Sequence, residues 1–423
     1  MIFFLILIRM SCHGLDHEAI AQVFEYDFKA TGTGHAAWFP DANSGEQENV
    51  ISFLQIYPDL ALEYDSTWMA VIAPRLRLGL NDSEYNLISL QDLYGEYVSE
   101  HFEVRAGFQT HFWGAVESYN IVDIFNQKDY RVDFFDPRNN KIGQSAVRLR
   151  GIFAENTLDL IYFPYFEVAN LPNAVNPYNP FMGMLNVQGN PIFTNGAERT
   201  RPNFAARWER TIGPADLGVY YFNGYARFPV INATPGVGIA QTLYYEMQQI
   251  SGDIQMTLGN WILKGEYLYM NTDNAGSFEA TSILFDGSIV RRDLVPDSYT
   301  AFVAGFEYTF YRVFQAHDLG LLLEYLYNDS PQDFQAPAFR PFENDIFAGI
   351  RWARNNLGQG VLRAGLIHDL GNSTRLWRIE YTERFFDRLK VLAYAQIIDA
   401  AAENPLSPFN DADNVAIQFS YVY

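Results

Sequence analysis

Residues Val415-Ala-Ile-Gln-Phe-Ser-Tyr-Val-Tyr423 alternate to the last position of the sequence. Val415, Ile417, Phe419, Tyr421 and Tyr423 point one way, and Ala416, Gln418, Ser420 and Val422 the other. A period of two is that of a β-strand with one apolar face. Three alternating aromatics close the stretch, and no polar tail follows to cover that face. The natural solvent for it is lipid.

The rest of the chain repeats the pattern. In 423 residues there is no Pro/Gly/Ser-rich linker and no break in composition, so a single unit is expected rather than two or three domains. Aromatics make up 16% of residues, with Tyr and Phe far outnumbering Trp, as suits many amphipathic strands. Beyond the N-terminus no run of about 18 apolar residues occurs, which excludes a helical membrane protein and leaves a transmembrane barrel open. The single cysteine, Cys12, rules out a disulfide framework in the body of the chain.

Alternating stretches bounded by turn residues number about eighteen, from Ala19–Ala30 and Val50–Tyr64 through Gln241–Leu258 to Asn414–Tyr423. Most of their connections alternate in length, although Asn81–Asn86 and Asp369–Thr374 are short where a long one is due and the turn Arg312–Asp318 is somewhat long. Asp65–Ser66, Glu100–His101, Glu155–Asn156, Gly259–Asn260 and Asp387–Arg388 are tight, whereas Thr31–Asn49, Phe112–Gly143, Glu167–Pro202 and Asp399–Asp413 are long. Short turns at one end and long loops at the other are the rhythm of an all-β, transmembrane, antiparallel up-and-down barrel. The net charge of −21 is placed in part by the loops, since Thr31–Asn49 and Asp399–Asp413 carry acids and no Lys or Arg. No basic cluster exists to neutralise phosphates, so nucleic acid is not expected as a partner.

Charge on the strands must face inward, because at mid-membrane it costs about 2–4 kcal/mol against lipid. Arg75, Arg77, Arg105, Arg148 and Arg150 each alternate with apolar neighbours, and Arg207, Arg351, Arg363 and Arg378 fall on the same face of later strands. Glu246, Glu266, Glu307 and Glu324, with Lys264, occupy that face on strands ten to thirteen. Two readings stay open: a transverse field that selects ions by sign, or ion pairs stiffening the wall, such as Arg105 with Glu103, Arg207 with Glu209 and Arg378 with Glu380.

The connection 112–143 differs from the other loops. Val116, Tyr119, Ile121, Val122, Ile124 and Phe125 are too many apolar residues for a loop in water, so it is expected to fold into the lumen. There Glu117, Asp123, Asp129, Arg131 and Asp133 would form a constriction against the lumen arginines. Arg75, Arg77, Arg105, Arg148 and Arg150 stand at its base, and with Lys128 and Arg131 they favour anionic solutes.

The run from Gly107 through Trp113-Gly114, Asp123, Asn126, Asp129, Asp136-Pro137, Lys141 and Arg148 resembles substrate-specific outer-membrane porins of the alginate-export kind. The last strand likewise resembles those of bacterial outer-membrane barrels, which typically end on an aromatic. These resemblances imply an outer-membrane channel for passive diffusion of a small-molecule solute, with outer-membrane lipid and the barrel-assembly machinery as partners. They transfer no substrate. The competing reading is an adhesin or structural barrel without pore activity.

Ile2–Ile8 followed by Arg9 and Ser11–Gly14 reads as an atypical secretory signal peptide over residues 1–14, leaving 15–423 as one barrel domain. No room is expected before the first strand for a plug domain. His101, His111, His317 and His368 show no distinctive spacing to Ser, and no His/acid cluster has metal-ligand spacing. Neither an enzyme, a cofactor nor a metal is expected.

Overall fold

The structure, a computed structural model, describes residues 24–423 except 43–46, 134, 136–139, 180–185, 188, 234–238, 273–278, 284–288, 294, 315 and 330–339. Eighteen strands form one closed antiparallel sheet. In chain order they are β1 Phe24–Trp38, β2 Val50–Tyr64, β3 Trp68–Gly79, β4 Leu87–Val98, β5 Phe102–Gln109 and β6 Gln144–Phe153. Next come β7 Asn156–Phe163, β8 Asn203–Ile212, β9 Ala215–Tyr225, β10 Glu246–Leu258, β11 Trp261–Asn271 and β12 Tyr299–Phe314. The last six are β13 His317–Asn328, β14 Asn344–Ala353, β15 Val361–Asp369, β16 Arg375–Phe385, β17 Leu389–Asp399 and β18 Asn414–Val422. Each pairs with the next, and β18 returns to β1 from Thr31↔Val422 to Trp38↔Val415. The stretch on which the reading began is therefore the closing strand.

Its two faces separate as the alternation requires. Val415 is 55% exposed and Tyr421 49%, while Ala416 and Ser420 are buried. The same outward apolar row recurs as Leu76 and Leu78 on β3, Val147 and Leu149 on β6, Leu321 and Leu323 on β13, and Trp377 and Ile379 on β16. A closed ladder pairs its backbone groups within itself, and an apolar outer face meets lipid without penalty, so the sheet is a transmembrane barrel. Among the described residues no helix is long and apolar enough to cross a membrane.

The tight connections have the backbone that a right-twisted hairpin demands. Asp65 and Ser66 both have positive φ (53° and 52°), as do Phe386 and Asp387 (51° and 60°), the sign pattern of primed turns. Pro74 lies within β3 and cannot donate to the ladder. The β3–β4 register shifts between Ala73 and Pro74, which absorbs the missing donor.

Three expected boundaries are corrected. The first strand is Phe24–Trp38, not Ala19–Ala30: the Thr-Gly-Thr-Gly run at 31–34 looks like a turn but continues the ladder, with Gly32 and Gly34 facing outward beside Ile56 and Leu54. The part of that strand before Phe24, like the signal segment 1–14 and Cys12, lies outside the described residues. The tenth strand starts at Glu246 rather than Gln241, because Ile239–Tyr244 pairs with Val230–Ala233 in a small separate sheet over the long-loop end. The turn set at Arg312–Asp318 is shorter, since β12 runs to Phe314 with an irregularity after Phe310.

Candidate functional site: the lumen and its inserted loop

The connection between β5 and β6 folds back into the barrel and is held there by its own backbone. Glu266, on the inner face of β11, accepts hydrogen bonds from the N–H groups of Ala115 (2.8 Å), Val116 (3.1 Å) and Ile121 (2.9 Å) and from Asn120 Nδ2 (2.9 Å). Glu324 on β13 accepts from the N–H groups of Glu117 and Ser118, both at 2.9 Å, and from the Ser118 hydroxyl. Lys264 of β11 binds Glu117 at 2.9 Å. With four loop donors on Glu266 and three on Glu324, these wall acids fasten the loop.

Apolar packing completes the attachment. Trp113, Val122, Ile124 and Phe125 are buried against Ala146, Ile161, Phe163, Tyr220, Phe222, Leu268 and Met270 on the inner faces of β6, β7, β9 and β11. Gly114 turns the chain at φ +130°, where an added Cβ would sit 1.5 Å from Asn120 Nδ2 and 2.5 Å from Glu266 Oε1. Only glycine fits that close approach. Asn126 ties the two ends of the loop together: its Oδ1 accepts from His111 N–H (2.8 Å), and its Nδ2 donates to the carbonyls of Gln109 (2.8 Å) and Ile142 (2.9 Å).

The charged residues of the loop are also engaged. Asp123 pairs with Lys141 at 2.7 Å. Asp129 takes Arg77 from β3 and Arg131 from the loop, and Arg77 Nε also donates to the Tyr85 carbonyl at 2.7 Å. Burial opposes the charge on Asp129, but Arg77 and Arg131 outweigh it and hold the carboxyl below the usual carboxylate range. Asp133 reaches Arg378 of β16 at 3.1 Å.

Between the loop and the opposite wall lies a cavity of about 650 Å³, lined by β1–β3, the loop and β13–β18. Among the described residues that line it, seven are basic (Arg75, Arg77, Lys128, Arg351, Arg363, Arg378 and Lys390) and three acidic (Glu117, Asp133 and Glu380). Arg351 and Arg363 are direct cross-strand partners on β14 and β15. Arg351 pairs with Glu307, which is almost wholly buried, whereas the Arg351 side chain is 36% exposed. Arg363, 42% exposed, pairs with Glu380 at 2.9 Å. In both pairs the guanidinium is the more open partner.

The expected site residues thus divide. Arg75, Arg77, Glu117 and Asp133 line the cavity, whereas Arg105, Arg148, Arg150, Asp123, Asp129 and Arg131 are not among its lining residues. Arg105 binds Glu96 through two bonds of 2.9 and 3.0 Å, not Glu103 as the spacing suggested. Glu103 instead faces Arg148 at 3.3 Å, and Arg150 grips Asp159 through two bonds of 2.8 Å. The expected pair Arg207–Glu209 is present at 2.7 Å, and Arg378–Glu380 at 3.8 Å. Sequence reading missed Glu96, His35, Lys390 and Tyr394. Their signal was inward parity alone, which dozens of positions share. It also missed that Glu266 and Glu324 serve backbone donors, since no sequence spacing marks a carboxylate whose partners are amides more than a hundred residues away.

The fold has counterparts among solved structures at low sequence identity. Pseudomonas aeruginosa OpdO superposes with a TM-score of 0.54 at 10% identity, over 95% of this chain and 97% of that one. Acinetobacter baumannii OccAB1 gives 0.54 at 7%, over 94% and 95%. A BenF-like porin from Pseudomonas fluorescens gives 0.52 at 11%, over 95% and 98%. No family model and no curated protein matches the sequence.

Proposed function

We propose that the chain is an outer-membrane porin through which small hydrophilic solutes diffuse passively, with the loop 112–143 narrowing the lumen and anionic solutes favoured. The observation that carries this reading is the loop fastened to one wall by Glu266 and Glu324, leaving a cavity whose described lining residues include seven cations and three anions. A structural barrel or adhesin has no need of a lumen cavity lined with half-open guanidinium groups. The name of one fold neighbour, a BenF-like porin, agrees with the same reading. The sign preference comes from the wall: Arg351 and Arg363 expose charge into a narrow space where water screens less than in bulk.

The test is current through a planar bilayer. Purified full-length protein should give discrete single-channel steps in salt solution. A protein that inserts and assembles but carries no current is an adhesin or a structural barrel, and the porin reading then fails.

A further inference from the structure

Among the described residues, the closing pair leaves part of β1 without a neighbouring strand at the tight-turn rim. Pairing of β1 with β2 runs the full length, from Trp38↔Val50 to Phe24↔Tyr64. Pairing with β18 stops earlier, at Thr31↔Val422, and a final exchange of backbone hydrogen bonds joins Ala30 to Tyr423 (3.2 and 2.9 Å). In an antiparallel ladder the N–H and C=O of one residue point to the same side, and alternate residues serve alternate sides. Ala30 faces β18, so Phe28, Tyr26 and Phe24 direct three N–H and three C=O groups the same way. No described strand lies beside them.

The exposed edge is amphipathic. Phe24, Tyr26 and Phe28 are 49%, 79% and 44% exposed on the outer face. The inner face of this tip carries Glu25, Asp27, Asp59 and Glu63 against Lys29 alone, with Glu25 opposite Glu63 and Lys29 opposite Asp59. An open edge of this kind templates another strand unless it is blocked.

We propose that the Phe24–Lys29 edge receives an extended peptide segment of a periplasmic protein as an added strand, one whose residues alternate basic and apolar. Its backbone completes the three open pairs, its apolar side chains continue the Phe24-Tyr26-Phe28 row, and its basic side chains meet the carboxylates of the inner face. Backbone pairing supplies affinity and the alternate side chains supply register, as in strand addition generally. The compartment named rests on the outer-membrane reading above.

The probe is a fluorescent nine-residue peptide of alternating Lys and Val, titrated against the full chain in detergent and followed by anisotropy. Saturable binding is expected, weakened about tenfold or more by Glu25→Lys with Asp27→Lys and abolished by N-methylation of alternate peptide nitrogens. No binding to the wild type, equal binding by the N-methylated peptide, or equal binding by a Glu/Val peptide would each overturn the proposal. So would binding that appears only after residues 1–23 are removed, since the edge would then belong to the chain's own N-terminal segment. Channel current measured on the same preparations reports on the porin reading separately, because these carboxylates lie at the rim and not in the cavity lining.

Discussion

Glu266 and Glu324 are single residues on which a whole loop depends. Truncating either leaves three or four loop donors without their acceptor, and each buried unsatisfied donor costs about 1–3 kcal/mol. Glu266→Ala with Glu324→Ala should therefore free the loop within an intact barrel, seen as noisier and larger single-channel steps, while Glu→Gln at both positions keeps much of the attachment. Steps identical to wild type in the double alanine variant would mean that apolar packing alone holds the loop. Asp129 adds a pH signature. Its carboxyl titrates lower in the folded protein than in the unfolded chain. Its contribution is thus full above the ordinary carboxylate value of about 3.9 and is lost as pH falls through that value towards the depressed one. Thermal stability should show this loss only below about pH 4, and Asp129→Ala, which strands the buried Arg77, should cost about 3–5 kcal/mol at neutral pH and remove that part of the acid sensitivity. At this scale the sequence was partly readable. Gly107, Trp113, Gly114, Asp123, Asn126, Asp129, Lys141 and Arg148 stood out as a pattern; the described members from Trp113 to Lys141 shape or staple the loop, whereas Gly107 lies against Tyr94 of β4 and Arg148 pairs with Glu96 and Glu103 on the wall. Asp136 and Pro137 lie outside the described residues. What the pattern could not show is that these residues build the loop and leave the cavity lining to others.

Among the elements, the loop between β5 and β6 was legible because its apolar residues had no other place to go: the structure packs Trp113, Val122, Ile124 and Phe125 against β6, β7, β9 and β11, Val116 in a second cluster with Val303 and Leu326, and Tyr119 against Phe342. Removing Trp113–Asp136 should raise single-channel conductance severalfold, as expected when an insert that sets the open area of a wide barrel is taken out. Unchanged conductance would mean that the narrowest point lies elsewhere. Strand β1 was the least legible element. Its Thr-Gly-Thr-Gly run has the composition of a turn, and only the neighbours at Leu54, Ile56, Phe419 and Tyr421 make an extended backbone there worth more than the glycine entropy it costs. The alternation of short and long connections survived this error, because it depends on where strands turn and not on where each one starts.

For the whole molecule, composition and the proposed selectivity point in opposite directions. A net charge of −21 suggests a cation path, yet acids on loops outside the membrane are screened beyond a Debye length of about 8 Å, and the lumen acids are mostly spent on arginines or on the loop backbone. On the proposed reading the sign is set by the half-open guanidinium groups of Arg351 and Arg363 on β14 and β15. The sequence placed Arg351 and Arg363 on the inner face but gave more weight to Arg148 and Arg150, which the fold commits to Glu103 and Asp159. Reversal potential in a salt gradient across a planar bilayer separates these possibilities. Wild type should favour anions, Arg351→Glu with Arg363→Glu should shift the potential strongly towards cations, and Arg148→Glu with Arg150→Glu should shift it little. A cation-selective wild type, or a β14–β15 double variant whose reversal potential does not move, would contradict the account.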